Sequence, residues 1–118
     1  MSRKPARIKV VDLEKGMPTV EQARLRMQYE LQLARKDGYE AVKLIHGYGS
    51  SGAGGALRTE LQKELHRAMQ SGAIQAFIAG ENWRISDSGT WKLLKEFPEW
   101  RKDADLGGKN KGISVVIF

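Results

Sequence analysis

The segment HGYGSSGAGG, residues 46–55, contains the spacing G-x-G-x-x-G at Gly47, Gly49 and Gly52. It lies between an apolar run, YEAVKLI, and an amphipathic run, ALRTELQKELHRAM. Backbone amides of a glycine-rich loop can surround an anion, and the N-terminus of a following helix attracts negative charge. The segment therefore predicts an anion site for a dinucleotide or for a nucleic-acid phosphate, or else a loop without a ligand.

Features of the loop and its flanks argue against a dinucleotide. Ala53, Gly54 and Gly55 prolong the loop, whereas the last glycine of a dinucleotide fingerprint already belongs to the helix. The acid that binds a ribose is expected about 20 residues further on, and the nearest candidate, Glu81, comes later. A chain of 118 residues is also too short for both mononucleotide halves. A Walker loop is excluded because no Lys-Ser or Lys-Thr pair follows the glycines.

A nucleic-acid phosphate fits the same segment better. His46, at the end of the preceding strand, is expected to point into the site, where its imidazole could contact a phosphate or transfer a proton during phosphodiester cleavage. Tyr48 would offer a stacking surface, and Arg58 on the first helical turn a charge clamp. Alternatively, His46 only hydrogen-bonds the loop backbone and holds its shape. The predicted phosphate contacts are Lys9, Lys15, Lys43, Gly47, Tyr48, Gly49, Ser50, Ser51, Gly52, Gly54, Gly55 and Arg58.

Tryptophans and paired aspartates are the other residues that could serve a site. Trp83 and Trp100 could stack on bases or pack in the core, whereas Trp91 is predicted to pack. Asp103 and Asp105 could hold a metal, but the sequence offers no third ligand near them. No cofactor is therefore predicted, although a divalent metal could assist cleavage.

Composition and charge restrict the partner. The chain has 20 Lys and Arg residues against 14 Asp and Glu, so its net charge is +6. This excess favours a polyanion, or else serves only solubility. The absence of cysteine excludes disulfides and thiolate metal sites. No apolar run could span a bilayer, and the N-terminus MSRKPARIKV lacks the apolar core of a signal peptide, so a cytoplasmic protein without a membrane partner is predicted.

Alternating strands and helices are needed to position the loop. RIKVVDL predicts a first strand over about residues 8–12. Thr19 and Gln22 have the spacing of a capping box, and apolar steps of three and four predict a helix to about Asp37. YEAVKLI and AIQAFIA predict two more strands around a second helix, and ISVVIF, apolar at nearly every position, predicts a fourth strand in mid-sheet. This order is typical of an α/β sandwich.

The domain organisation predicted from these patterns is simple. Residues 1–7 form a basic tail, and residues 8–118 form one domain. An insert at about residues 81–112 separates the third and fourth strands and contains a short helix that Asp87 or Ser88 can cap. The apolar face of this helix is predicted to carry Trp91, Leu94 and Phe97.

The stretch VKLIHGYGSSGAGGALRTEL resembles the HGxG segment of the small MutS-related, or Smr, domain family, in which a strand delivers His-Gly-x-Gly into a loop ahead of a helix. The likeness extends over roughly residues 8–118. It implies a two-layer α/β sandwich whose four-stranded mixed sheet has the order first, second, fourth, third, with the fourth strand antiparallel. It also implies nucleic-acid binding, with RNA cleavage or DNA nicking, in DNA recombination or ribosome quality control.

The end of the first strand departs from the family pattern. Most active Smr domains carry Leu-Asp-x-His-Gly there, whereas VVDLEKG matches at Asp12 and Gly16 and has Glu14 or Lys15 near the place of the histidine. A two-residue acid-base scheme therefore lacks one partner. If the protein cleaves, the catalytic residues are expected to be His46 as acid or base and Asp12 as its orienting or charge-stabilising partner. The segment SSGAGG also makes the loop longer than usual.

The sequence favours an Smr-like module that binds RNA or DNA and could act as an endonuclease. The alternative is a protein-interaction module without nuclease chemistry that docks on a ribosome-associated or DNA-repair partner. A basic stripe joining Lys9, Lys43 and Arg58 would favour nucleic acid, whereas an exposed apolar patch around Trp83 and Trp100 would favour protein. The choice between RNA and DNA and the oligomeric state stay open at this stage.

Overall fold

The computed structural model describes residues 8–47 and 53–118. Its strands and helices are β1 (Ile8–Asp12), α1 (Val20–Lys36), β2 (Ala41–Ile45), α2 (Ala53–Ser71), β3 (Ala76–Ala79), α3 (Ser88–Glu96) and β4 (Ile113–Ile117). Short 3-10 turns at Gly80–Asn82 and Pro98–Lys102 flank α3. Within the described ranges, no helix is both long and apolar enough to cross a membrane. The basic tail predicted over residues 1–7 lies outside them.

The four strands form one mixed sheet in the order β1-β2-β4-β3. β1 and β2 are parallel, with Asp12 beside Ile45, and β4 is antiparallel to both β2 and β3. β4 has a partner on each side, and its residues Ile113, Val115 and Val116 are buried because both faces of the sheet are covered. The strand order implied by the Smr resemblance and the central position of ISVVIF are thus confirmed.

The two faces of the sheet are covered by different parts of the chain. α1 and α2 pack on the face that carries Val42, Leu44 and Val116. The segment between β3 and β4 covers the other face, where the core consists of Ala41, Ile78, Trp83, Leu93, Leu94, Phe97, Trp100, Ile113 and Val115. The α/β sandwich is confirmed, and the insert predicted between the third and fourth strands supplies much of the second core.

α1 begins and ends where its sequence signals predict. Thr19 Oγ1 accepts a hydrogen bond from the Gln22 amide at 3.1 Å, and Gln22 Oε1 accepts one from the Thr19 amide at 2.9 Å, which completes the capping box. After Lys36, Gly38 adopts a positive φ of 83° and turns the chain into β2. This return places the ends of β1 and β2 at the same edge of the sheet.

The buried side of α3 contains Leu94 and Phe97 as predicted but not Trp91. Trp91 was predicted to pack, but its side chain is 42% exposed. Thr90 takes the inward position instead, because its hydroxyl donates to the Asn82 carbonyl at 2.7 Å and its amide donates to the capping carboxylate of Asp87. The apolar residues that follow on this inward stripe are Leu93, Leu94 and Phe97.

Candidate functional site

The carboxyl ends of β1 and β2 bring the predicted catalytic pair to one edge of the sheet. β1 ends at Asp12, and the amide of Leu13 still donates to the Ile45 carbonyl at 2.8 Å. His46 and Gly47 follow directly after β2, and α2 begins at Ala53. The start of the glycine loop, the end of β1 and the N-terminus of α2 therefore face the same edge, which we call the loop edge.

His46 is buried, with only 1% of its surface exposed, and both ring nitrogens have partners. Nδ1 lies 2.7 Å from the Gly47 carbonyl oxygen and Nε2 lies 2.9 Å from Ser114 Oγ on β4. A neutral imidazole protonated at Nδ1 donates to the carbonyl and accepts from the hydroxyl. Burial lowers the pKa of His46 below its ordinary value, because it outweighs the opposing hydrogen bond to Gly47. This is the geometry of a histidine that holds the loop backbone, the alternative left open by the sequence.

Gly47 is fixed between two neighbours. Its amide and that of His46 both donate to the Gly112 carbonyl, at 3.0 and 2.8 Å. Its φ is +73°, and a Cβ built there would lie 2.7 Å from Glu14 Oε1. The amide of Gly47, predicted to contact a phosphate, is thus already bonded to the segment that precedes β4.

Asp12 and Glu14 occupy different places at the loop edge. Asp12 Oδ1 accepts from the Glu14 amide at 2.9 Å in a local turn. The His46 ring is oriented by its hydrogen bonds to Gly47 and Ser114. The orienting role predicted for Asp12 is therefore filled by these two residues. The carboxylate of Glu14 lies against Gly47, and its charge acts to raise the pKa of His46. The sequence pointed to Glu14 at this edge, because Glu14 stands near the position of the histidine in the Leu-Asp-x-His-Gly pattern.

The three cations of the predicted basic stripe each have carboxylate partners. Lys9 Nζ lies 3.2 Å from Glu30 Oε2, and Arg58 forms an ion pair with Glu81. Arg58 Nε and Glu81 Oε1 are buried without a hydrogen-bond partner among the described residues. Lys43 is buried on the face that the insert covers. The basic stripe is therefore interrupted by acids, and only Arg58 among its members approaches the loop edge, where its charge acts to lower the pKa of His46.

Lys43 belongs to a partly buried charge cluster rather than to a phosphate site. Its Nζ lies 2.9 Å from Asp103 Oδ1 and also pairs with Asp105. Asp103 accepts in addition from Trp83 Nε1 at 2.9 Å. Burial alone would lower the pKa of Lys43, but the hydrogen bonds to Asp105 and Asp103 raise it. The two aspartates considered as a metal pair thus form ion pairs with the Lys43 ammonium group. In the described part of the chain, no group of three His, Cys, Asp or Glu residues could hold a metal ion.

We expect Lys43→Met to lower the free energy of unfolding by about 1–2 kcal/mol, less than for a fully buried pair because Asp105 keeps part of its exposure. The hydrogen bond from Lys43 is the main cause that holds the pKa of Asp105 below its ordinary value, so that pKa should rise in the variant. Urea unfolding and an NMR titration of Asp105 measure the two effects. Lys36→Met, at an exposed position, is the control. A weaker nucleic-acid affinity with unchanged stability would contradict the structural role.

The remaining predicted contacts lie near the start of α2 or outside the described residues. Tyr48, Gly49, Ser50, Ser51 and Gly52 are outside them. Gly54 and Gly55 belong to the first turn of α2, and Gly55 is exposed. The first amides of a helix have no carbonyl partner within it, so this turn offers donors at the loop edge. Lys15 is exposed in the turn that follows β1.

Trp83 and Trp100 do not form an exposed patch. Both are buried against the sheet, and their rings meet edge to face at a centroid distance of 5.2 Å. The apolar surface that would have favoured protein docking at these residues is therefore core.

A family model described as Smr domain matches residues 11–99, most of the chain, including the segment from β2 to α2. The match ends before β4, which supplies Ser114 to the histidine. No curated protein and no solved structure gives a significant match.

Proposed function

Because this chain belongs to the Smr domain family, whose members commonly bind nucleic acid, we propose that it binds the backbone of RNA or DNA at the loop edge. The observation that carries the proposal is that the two described ends of the glycine loop lie at one edge of the sheet. His46 and Gly47 are held on the Gly112 carbonyl at the end of β2, and the amides that begin α2 at Ala53 lie at the same edge. These amides and the positive end of the helix dipole favour a phosphate.

Long-range charge supports the same partner. The net charge of +6 attracts a polyanion, and Lys15 and the Arg58–Glu81 pair lie around the loop edge. A phosphate that approaches Arg58 would meet an arginine whose Nε has no partner among the described residues. Backbone amides and dispersed cations do not read base edges, so binding should depend weakly on sequence.

For cleavage, we propose that His46 is not a general acid or base. A buried neutral imidazole with both nitrogens bonded cannot exchange a proton with a phosphodiester without breaking those bonds. Glu14 and Asp12 are the loop-edge carboxylates through which an endonuclease reaction could run, and both are exposed. We therefore propose binding with weak or no cleavage, and the endonuclease function is the alternative that the experiment below separates.

A protein-docking function has less support from the geometry, because the tryptophans that would have formed its patch are buried. A ribosome-associated or DNA-repair partner would have to contact another surface.

Binding to labelled single-stranded and duplex RNA and DNA, with and without magnesium, tests the proposal. If three or more phosphates are contacted, raising the salt concentration from about 50 to 200 mM should weaken binding at least about tenfold. Lys15→Gln should reduce the slope of log affinity against log salt by about one, whereas Lys36→Gln, the same charge change at the far end of α1, should not. No binding at low salt, or an affinity independent of salt, would contradict the proposal. Cleavage products in the same incubations would support the endonuclease alternative.

A further inference from the structure

Trp91 on α3 is the tryptophan that remains exposed. Trp83 and Trp100 are buried, whereas 42% of the Trp91 side chain is accessible. Two cations lie beside its ring: Lys95 Nζ is 5.9 Å and Arg101 Cζ is 5.8 Å from the ring centre. The inward positions of α3 are already filled, so packing within the domain does not explain an indole at this place.

The surroundings of Trp91 are basic rather than apolar. Residues 88–102 contain four cations, Lys92, Lys95, Arg101 and Lys102, against two acids, Glu96 and Glu99. All four cations are exposed. An apolar partner placed on the ring would bury cations without offering them a counter-charge, which is unfavourable. Trp91 with Lys95 and Arg101 instead complements a ligand that has both an aromatic face and negative charge.

We propose that Trp91, Lys95 and Arg101 form a stacking site for a base of single-stranded nucleic acid. The base would lie on the indole, in place of or beside one of the two cations, and the cations would contact the flanking phosphates. Single strands are favoured over duplexes because the faces of paired bases are already stacked on one another. The site rests on the proposed function and adds to it a second contact and a preference for unpaired strands.

A cavity lies between α2 and α3, and its lining includes Arg58 and Lys92 but not Trp91, Lys95 or Arg101. It has a volume of about 620 Å³, with β3 along its floor, Arg58 on the α2 side and Lys92 on the α3 side. Three acids line it: Glu81 pairs with Arg58 and Asp87 caps α3, whereas Glu96 is exposed. In this proposal, a strand bound by phosphates near Arg58 runs along the cavity to Lys92 and leaves it beside α3, where Trp91 is exposed.

Tryptophan fluorescence tests the site directly, because Trp91 is the exposed indole. An oligothymidylate of about ten nucleotides should quench the emission and protect it from acrylamide, and its hairpin duplex counterpart should do so much less. Trp91→Ala should weaken binding of the oligothymidylate by about tenfold. Trp91→Phe should restore most of the affinity but not the quenching. Tyr29→Ala, which removes an exposed aromatic side chain from α1, is the matched control and should leave binding unchanged.

The outcomes separate this site from the loop edge. Salt-dependent binding that is identical in wild type and Trp91→Ala would overturn the stacking site and leave the loop-edge proposal intact. No binding of any nucleic acid would overturn both. A blue shift of the Trp91 emission with anionic phospholipid vesicles, without any response to the oligothymidylate, would overturn the site in favour of a lipid surface. A thermal unfolding midpoint of Trp91→Ala equal to that of the wild type confirms that the variant is folded.

Discussion

Gly80→Ala is expected to destabilise the fold by more than about 4 kcal/mol, an unusually large effect for the addition of one methyl group. A Cβ at this position would lie 1.7 Å from the Asn110 carbonyl oxygen and 2.8 Å from that of Ile113. Both obstacles are backbone atoms, which cannot rotate away as the end of a side chain can. The backbone before β4 must therefore move if the alanine variant is to fold.

Such a movement would reach the loop edge. Asn110 precedes Gly112, whose carbonyl accepts the amides of His46 and Gly47. The Asn110 side chain in turn accepts from the Gly112 amide at 2.9 Å. A displaced Asn110 would consequently disturb the start of the glycine loop, and we expect Gly80→Ala to weaken nucleic-acid binding even where it remains partly folded.

Gly55→Ala is the matched control for this prediction. Gly55 lies in the first turns of α2, and no described atom lies within 4 Å of a Cβ built there. Alanine forms helix better than glycine by up to about 1 kcal/mol, so stability should be unchanged or slightly higher. Urea unfolding followed by circular dichroism measures both variants. A Gly80→Ala protein within about 1 kcal/mol of wild type would show that the segment before β4 adapts more easily than the close contact indicates.

The fold could be predicted because its signals are local. The capping box at Thr19, the glycine after α1 and the apolar run of β4 each determine an element through neighbours in the chain. The order of strands came from the resemblance to Smr domains. On α3, Leu94 and Phe97 are buried as predicted, but Trp91 is exposed. Thr90 is buried because its hydroxyl donates to a backbone carbonyl, a contact that the apolar pattern does not report.

The site was harder to predict because its decisive contacts join distant residues. The parallel pairing of β1 and β2 brings Asp12 and His46 to the same edge of the sheet. Ser114, which bonds the imidazole, lies 68 residues further along the chain. Lys43 has the charge of a phosphate contact, yet Asp103, its partner 60 residues away, makes it part of the core. Neither the pairing of His46 with Ser114 nor that of Lys43 with Asp103 can be predicted from residue type and spacing. Charge alone therefore overstated the number of cations available at the loop edge.

His46→Ala is expected to lower the free energy of unfolding by about 2–4 kcal/mol, because it removes a buried ring and leaves the hydroxyl of Ser114 without its partner. Ser114→Ala should cost about 1–2 kcal/mol for the same reason. The double variant should lose less than the sum of the two, since the second substitution removes the group that the first left unpaired. Urea unfolding of the four proteins gives this coupling. A catalytic histidine would instead show lost cleavage at unchanged stability.

The pH dependence of stability provides an independent measurement of the same role. The pKa of His46 is lowered by burial, so as pH falls from about 7.5 to 5.5 the unfolded chain takes up a proton near its ordinary pKa of about 6.5 while the folded protein resists it. The unfolded state then binds more protons, and wild-type stability should decline across this window. Glu64, Glu81 and Asp105 have lowered pKa values and act only at more acidic pH. In His46→Gln, the free energy of unfolding should therefore decline less over this pH range than in the wild type. An identical decline in both proteins would mean that the imidazole is accessible and free to accept a proton.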